Sequence, residues 1–200
     1  WMSEIPTNSQ QIILASSSST RKNDLKKHFK YFTSIKHDAD ELKIKQDNQH
    51  LNYRDLVLLL AKMKAESIMR KYPKDIIIAS DQILICENTV INKPLSIKQA
   101  KENLKFIIGK KHQLISAIYV VHNQNVYFKE VSEAILFFKT ITEEQLDIYL
   151  NENNETALTT VGSYKIEDNE KYKFIKIISG DLETIKGFPL KNFLEKMEKR

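Results

Sequence analysis

Two hundred residues with 42% hydrophobic content suffice for one compact domain with a sizeable core. No apolar run reaches the roughly 20 residues of a bilayer span, no charged-then-apolar leader opens the chain, and the single cysteine, Cys86, excludes an internal disulfide framework, so a reducing cytoplasm is the expected compartment. The net charge of +5 comes from 31 Lys and Arg against 26 Asp and Glu; with no Lys/Arg cluster interleaved with aromatics, neither nucleic acid nor a membrane is an expected partner.

Trp1, ahead of Met2, is set aside as a remnant of expression, and residues 2–200 are read as one domain. Ile12 to Leu14 has the bulk and branching of a buried strand, and a helix begins near Thr20. The polar stretch Asp38 to Asn52 is expected as a mobile loop placed to cover a site. Asp55 to Lys71 forms a helix, Asp75 to Cys86 a long strand, and Thr89 to Asn92 a short extended return. Ser96 opens the next helix with Gln99 in capping-box spacing, and Gly109 ends it. Leu114 to His122 and Val126 to Phe138 read as two strands joined by Asn123-Gln124-Asn125. Thr142 and Gln145 form a second capping box, opening a helix to about Glu152; Lys173 to Ser179 is a strand and Pro189 to Lys199 a closing helix. Strands alternating with helices predict an α/β fold with a mixed, strongly twisted sheet flanked by helices.

Gln11 to Lys27 describes a phosphate cradle. Ser16 to Ser19 supply small hydroxyls and exposed backbone N–H groups, and the following helix directs its positive dipole end at them. Arg21 and Lys22 in the first turn are locally unfavourable and ask for an anion. The alternative is a serine-rich turn capping an ordinary surface helix.

Three charged residues are out of place. Asp81 interrupts IIIASDQILIC, a strand apolar on both faces, where a carboxylate needs a cation or hydrogen-bond donors unless it merely caps a neighbouring loop. Lys64 falls on the helical arc of Leu56, Leu59, Leu60, Met63 and Ile68, whereas Lys62 lies with the polar residues Asp55 and Glu66. A lysine on that arc either meets an internal partner or snorkels to water. Lys93, in Asn92-Lys93-Pro94, is held extended by the proline that follows. The five histidines have no metal-ligand spacing with one another or with Cys86, so no structural zinc site is expected.

Together, ILASSSSTRK, LAKMKA (Leu60 to Ala65), ASDQ (Ala79 to Gln82), NKPL (Asn92 to Leu95), VGSYK (Val161 to Lys165) and KGFPL (Lys186 to Leu190) resemble the Maf family in order and spacing, over nearly the whole chain. Maf proteins are nucleoside triphosphate pyrophosphatases first associated with septum formation. The resemblance implies a fold like the inosine triphosphate pyrophosphatases, two lobes around a cleft, and a homodimer. SDQ followed by GSYK resembles the branch acting on 7-methylguanosine triphosphate, against the branch preferring thymidine and uridine triphosphates.

Position by position, the resemblance implies phosphate binding by Ser16, Ser18 and Arg21, and metal binding by Glu41 and Asp81. It implies catalytic roles for Lys64, Asp81 and Lys93, and substrate contacts from Gln82, Tyr164 and Glu167, with Mg²⁺ or Mn²⁺ as the cation. A 7-methylated guanine is cationic, so Glu167 and the Tyr164 face are either its base contacts or strand-end packing. The family's Ser-Pro-Arg-Arg is Ser18-Ser19-Thr20-Arg21 here, Glu167-Asp168-Asn169-Glu170 replaces a glycine-rich stretch, and Phe188 replaces a leucine. A catalytically degenerate nucleotide- or nucleic-acid-binding protein acting in cell-division control is the alternative, and retention of Lys64, Asp81 and Lys93 together argues against it.

Overall fold

A computed structural model describes residues 10–199, so Trp1, set aside above, lies outside the described residues. Seven strands form one mixed sheet in the order β2-β1-β3-β5-β6-β7, with β4 pairing β3 off this path. They are β1 (Ile12–Leu14), β2 (Thr33–Ser34), β3 (Ile76–Cys86), β4 (Thr89–Ile91), β5 (Lys111–His122), β6 (Asn125–Phe138) and β7 (Ile175–Ser179). The helices are α1 (Ser19–Lys26), α2 (Glu41–Asp47), α3 (Tyr53–Met69), α4 (Ile97–Ile107), α5 (Glu143–Glu152), α6 (Asn154–Thr159), α7 (Asn169–Tyr172), α8 (Leu182–Lys186) and α9 (Lys191–Glu198). The expected mixed α/β class is borne out: β1 runs parallel to β2 and β3, while β4 and β7 pair antiparallel with β3 and β6.

The chain divides into two compact units, and β3, β5 and β6 each contribute a half to both. Among the described residues, the first unit holds 10–81, 116–132 and 187–199. Ile12 and Leu14 of β1 pair with Ile76 and Ile78 of β3, and these four pack with Leu25, Phe29, Ile118, Phe188 and Phe193 into its core. The second unit holds residues 82–115 and 133–186, with a core that includes Leu84, Leu104, Leu136, Phe138, Leu146 and Tyr149.

Side-chain caps set most helix starts. Ser18, Asp40, Asn52, Ser96 and Thr142 each accept a backbone N–H from the first turn, which satisfies a donor that the helix itself leaves unpaired. Thr142 and Gln145 complete the reciprocal box, whereas Gln99 reaches back one residue further, to the N–H of Leu95 at 2.7 Å. Asn123 and Gln124 both have positive φ (49° and 61°), the geometry of a two-residue hairpin turn, so Asn125 already belongs to β6.

Residues 38–52, expected as a mobile loop, are corrected in part. Asp40 caps the seven-residue helix α2, which buries only Ile44. One apolar contact in seven residues leaves no periodicity to read in the sequence. The buried face of α3 also shifts: Val57, Leu60, Ala61, Lys64, Ala65 and Ile68 are buried, while Met63 is exposed. Lys64 stays on the inner side under either assignment.

Candidate active site

Within the first unit, three elements bring charged groups to one point. β3 is buried along nearly its whole length and ends its share of this unit at Asp81, only 8% exposed. α3 carries Lys64, 5% exposed, and α2 begins with Glu41. The Lys64 ammonium lies 2.7 Å from Asp81 Oδ1 and 2.7 Å from Glu41 Oε1. One buried cation thus bridges two carboxylates, an arrangement whose desolvation cost is tolerable only because every charge has a partner. Arg21, from the first turn of α1, feels the same two carboxylates: burial lowers its pKa, and Asp81 and Glu41 oppose that shift.

The serine turn sits at the start of α1. Ser16 is buried and its hydroxyl accepts the Ser18 N–H at 3.1 Å, while Ser18 caps the helix by accepting the Arg21 N–H at 3.3 Å. The Ser34 hydroxyl donates to the Ser16 carbonyl, so β2 holds the turn from the other side. α1 has no acidic residue in its first turn, so its positive end is not neutralised by a side chain of its own. The donor set also fits a hard divalent cation, because Glu41 and Asp81 already present oxygens to a single positive charge and Mg²⁺ or Mn²⁺ uses one or two protein carboxylates with phosphate and water. Among the described residues no group of three or more His, Cys, Asp or Glu has metal-binding geometry.

The other four site candidates belong to the second unit. Gln82 donates its amide N–H groups to the Thr184 and Ile185 carbonyls at 3.1 and 2.8 Å, which ties β3 to α8. Lys93 is exposed between β4 and α4. Tyr164 places its hydroxyl 2.6 Å from His112 Nε2 and its ring edge-on to Phe138. Glu167, in a 3-10 turn at 166–168, lies 4.0 Å from the Lys186 ammonium.

A family model described as Maf-like protein matches residues 11–200. The chain belongs to the Maf family. A relative from Bradyrhizobium diazoefficiens, named nucleoside triphosphate pyrophosphatase, is 35% identical over 90% of this chain and 88% of its own length. Two relatives named 7-methyl-GTP pyrophosphatase are similar: one from Rhizobium etli at 31% identity, covering 94% of both chains, and one from Bartonella henselae at 33%, also covering 94% of both. Among solved structures, the Ham1 protein of Staphylococcus aureus aligns with a TM-score of 0.40 at 16% identity, over 63% of this chain and 69% of that one.

Two residues beside the Maf motifs escaped the sequence reading. His37 accepts the Ala39 N–H on Nδ1 at 3.2 Å, and its pKa is lowered first by burial and then by the Lys64 charge, against the pull of Glu41 and Asp81. Ser67, one turn after Lys64, bonds to the segment that precedes α2. His37 lies in no run with a readable pattern, and Ser67 sits in a readable helix but off its apolar arc, so its only hint was its i+3 spacing from an inward lysine.

Proposed function

We propose that this Maf protein hydrolyses a nucleoside triphosphate to the monophosphate and pyrophosphate, in a metal-dependent reaction with 7-methylguanosine triphosphate as preferred substrate. The reaction class rests on family membership and on one observation, the Lys64 ammonium held at 2.7 Å by both Glu41 and Asp81. Arg21, the Ser16 and Ser18 hydroxyls and the first-turn amides of α1 hold the β and γ phosphates. Mg²⁺ or Mn²⁺ on Glu41 and Asp81 would neutralise phosphate charge and acidify water. Asp81 accepts the proton of the attacking water as its oxygen bonds to the α-phosphorus. The bond from that phosphorus to the bridging oxygen breaks, and its electron pair leaves with pyrophosphate. Lys64 offsets the charge gathering on that leaving group.

Substrate preference follows from charge. Relatives from Rhizobium etli and Bartonella henselae are among those that carry 7-methyl-GTP in their names, and a cationic base favours a carboxylate such as Glu167. Glu167 lies 4.0 Å from Lys186, so the base competes with an existing, half-exposed ion pair of small worth. Tyr164, engaged by His112 and Phe138, more readily stiffens the loop than offers a face.

Pyrophosphate release from a panel of nucleoside triphosphates with Mg²⁺, using Asp81→Ala as control, is the test. Release favouring the methylated nucleotide and abolished in the control is expected; silence across the panel would refute the reaction. Equal binding of guanosine and 7-methylguanosine monophosphates would remove the charge argument alone. A homodimer belongs to the same proposal, and light scattering should return twice the 23.4 kDa of one chain.

A further inference from the structure

The route by which Glu41 reaches Lys64 runs through a residue that neither the motifs nor the reaction uses. The Ser67 hydroxyl donates to the Lys64 carbonyl at 2.8 Å and accepts the Asp38 N–H at 2.9 Å. One turn further along, Lys71 pairs with the Asp38 carboxylate at 3.1 Å. From Asp38 the chain proceeds through Ala39, whose N–H is held by His37, to Asp40, which caps α2 by accepting the Lys43 N–H at 3.1 Å. Glu41 follows, and its carboxylate returns to the Lys64 ammonium at 2.7 Å. The bonds close a ring: Lys64 backbone, Ser67 hydroxyl, Asp38 backbone, Glu41 carboxylate, Lys64 ammonium. Ser67 is half-buried and lines a pocket of about 520 Å³ with Asp38, Ile44 and Met63, and its hydroxyl bonds two backbone groups rather than the charged side chains.

We infer that Ser67 is a positioning residue that sets the register of Glu41 against Lys64, and thereby the readiness of the Glu41–Asp81 pair for a divalent cation. This rests on the reading of that pair as the metal-binding centre. α2 buries one side chain, so packing alone fixes its first residue poorly. A hydroxyl bonded at once to α3 and to the segment ahead of α2 supplies the missing constraint, in the way that outer hydrogen bonds orient metal-binding carboxylates.

The test compares wild type with Ser67→Ala, Ser67→Thr and Glu41→Gln. The first readout needs no substrate: the ¹⁵N ammonium resonance of Lys64, whose hydrogen exchange reports how firmly both carboxylates hold it. In Ser67→Ala that exchange should quicken and approach the rate in Glu41→Gln, while Ser67→Thr, keeping the hydroxyl, stays near wild type. Titration with Mn²⁺ should show an affinity weakened about tenfold in Ser67→Ala and within about twofold of wild type in Ser67→Thr. In turnover, the half-saturating Mg²⁺ concentration should rise by a similar factor with kcat changed far less. Should Ser67→Ala fold and leave the Lys64 resonance and Mn²⁺ affinity unchanged, the inference falls; should it fail to fold, a Ser67→Thr variant as weak for Mn²⁺ as Glu41→Gln would overturn it equally. A wild type with no turnover but with these Lys64 and Mn²⁺ shifts would sink the proposed reaction and leave the positioning role standing.

Discussion

At the scale of single residues, the bridge through Lys64 makes two kinds of loss separable. Asp81→Asn keeps the size of the side chain and removes the base and the charge; pyrophosphate release should fall by about three orders of magnitude, and near-normal turnover would remove Asp81 from its role. Lys64→Met instead leaves two carboxylates facing one another, one of them buried. Because Glu41 is half-exposed and partly screened, the expected loss is at the lower end for a broken buried pair, about 3 kcal/mol in urea unfolding. His112 provides a pH signature elsewhere. Burial lowers its pKa from 6.5 to about 4, so between those values the unfolded chain binds a proton that the folded chain refuses. Stability is therefore whole above about pH 6.5 and declines as pH falls towards 4, by up to about 3 kcal/mol. Unfolding measured across that window should show the slope in wild type and lack its His112 share in His112→Gln. Asp81 and Lys64 were legible in sequence because each broke an apolar pattern. His112 and Ser67 were not, since a buried histidine beside a tyrosine and a serine bonded to backbone disturb no periodicity.

At the scale of elements, α2 and the segment after β7 are the sensitive pieces. α2 depends on its cap, and Asp40→Ala should cost about 1 kcal/mol, seen as faster amide exchange across 41–47 and weaker Mn²⁺ binding. Gly180 has φ +96°, and a Cβ there would come within 2.5 Å of Ala134 Cβ and 2.8 Å of the Glu133 carbonyl. At Gly162 the contacts are the Tyr164 ring at 2.7 Å and the end of Leu84 at 2.9 Å, side-chain rather than backbone atoms. Gly180→Ala should therefore destabilise by about 3 kcal/mol and Gly162→Ala by about 1 kcal/mol in thermal unfolding. The long elements were predictable from period and caps: α3 starts two residues before its expected start because Asn52, not a later residue, accepts the Asp55 N–H at 2.9 Å. The short ones, β2, α2, α6, α7 and α8, escaped because two to seven residues hold too few turns or alternations to outweigh local noise.

At the scale of the whole molecule, a chain of net charge +5 meets a polyanionic substrate, and long-range attraction should raise the encounter rate. kcat/KM should fall about tenfold between low and 0.5 M salt while kcat holds steadier, because screening acts on approach rather than on the buried bridge. The overall α/β plan was readable from the alternation of strands and helices. The expectation of two lobes came from the family resemblance alone; where the two units divide was not readable, since it follows pairings between residues far apart in sequence, and one boundary falls inside β3 between Asp81 and Gln82. Successive side chains of a strand leave on opposite faces: Asp81 joins the charged bridge of the first unit and Gln82 anchors α8 of the second. β3 therefore works as a counting rule. One residue deleted just ahead of Asp81 would bring the Gln82 amide to the place of the carboxylate, and one residue inserted there would bring the Asp81 carboxylate to the place of the amide. By that logic the chain can vary the chemistry of many positions in this strand, but never its arithmetic.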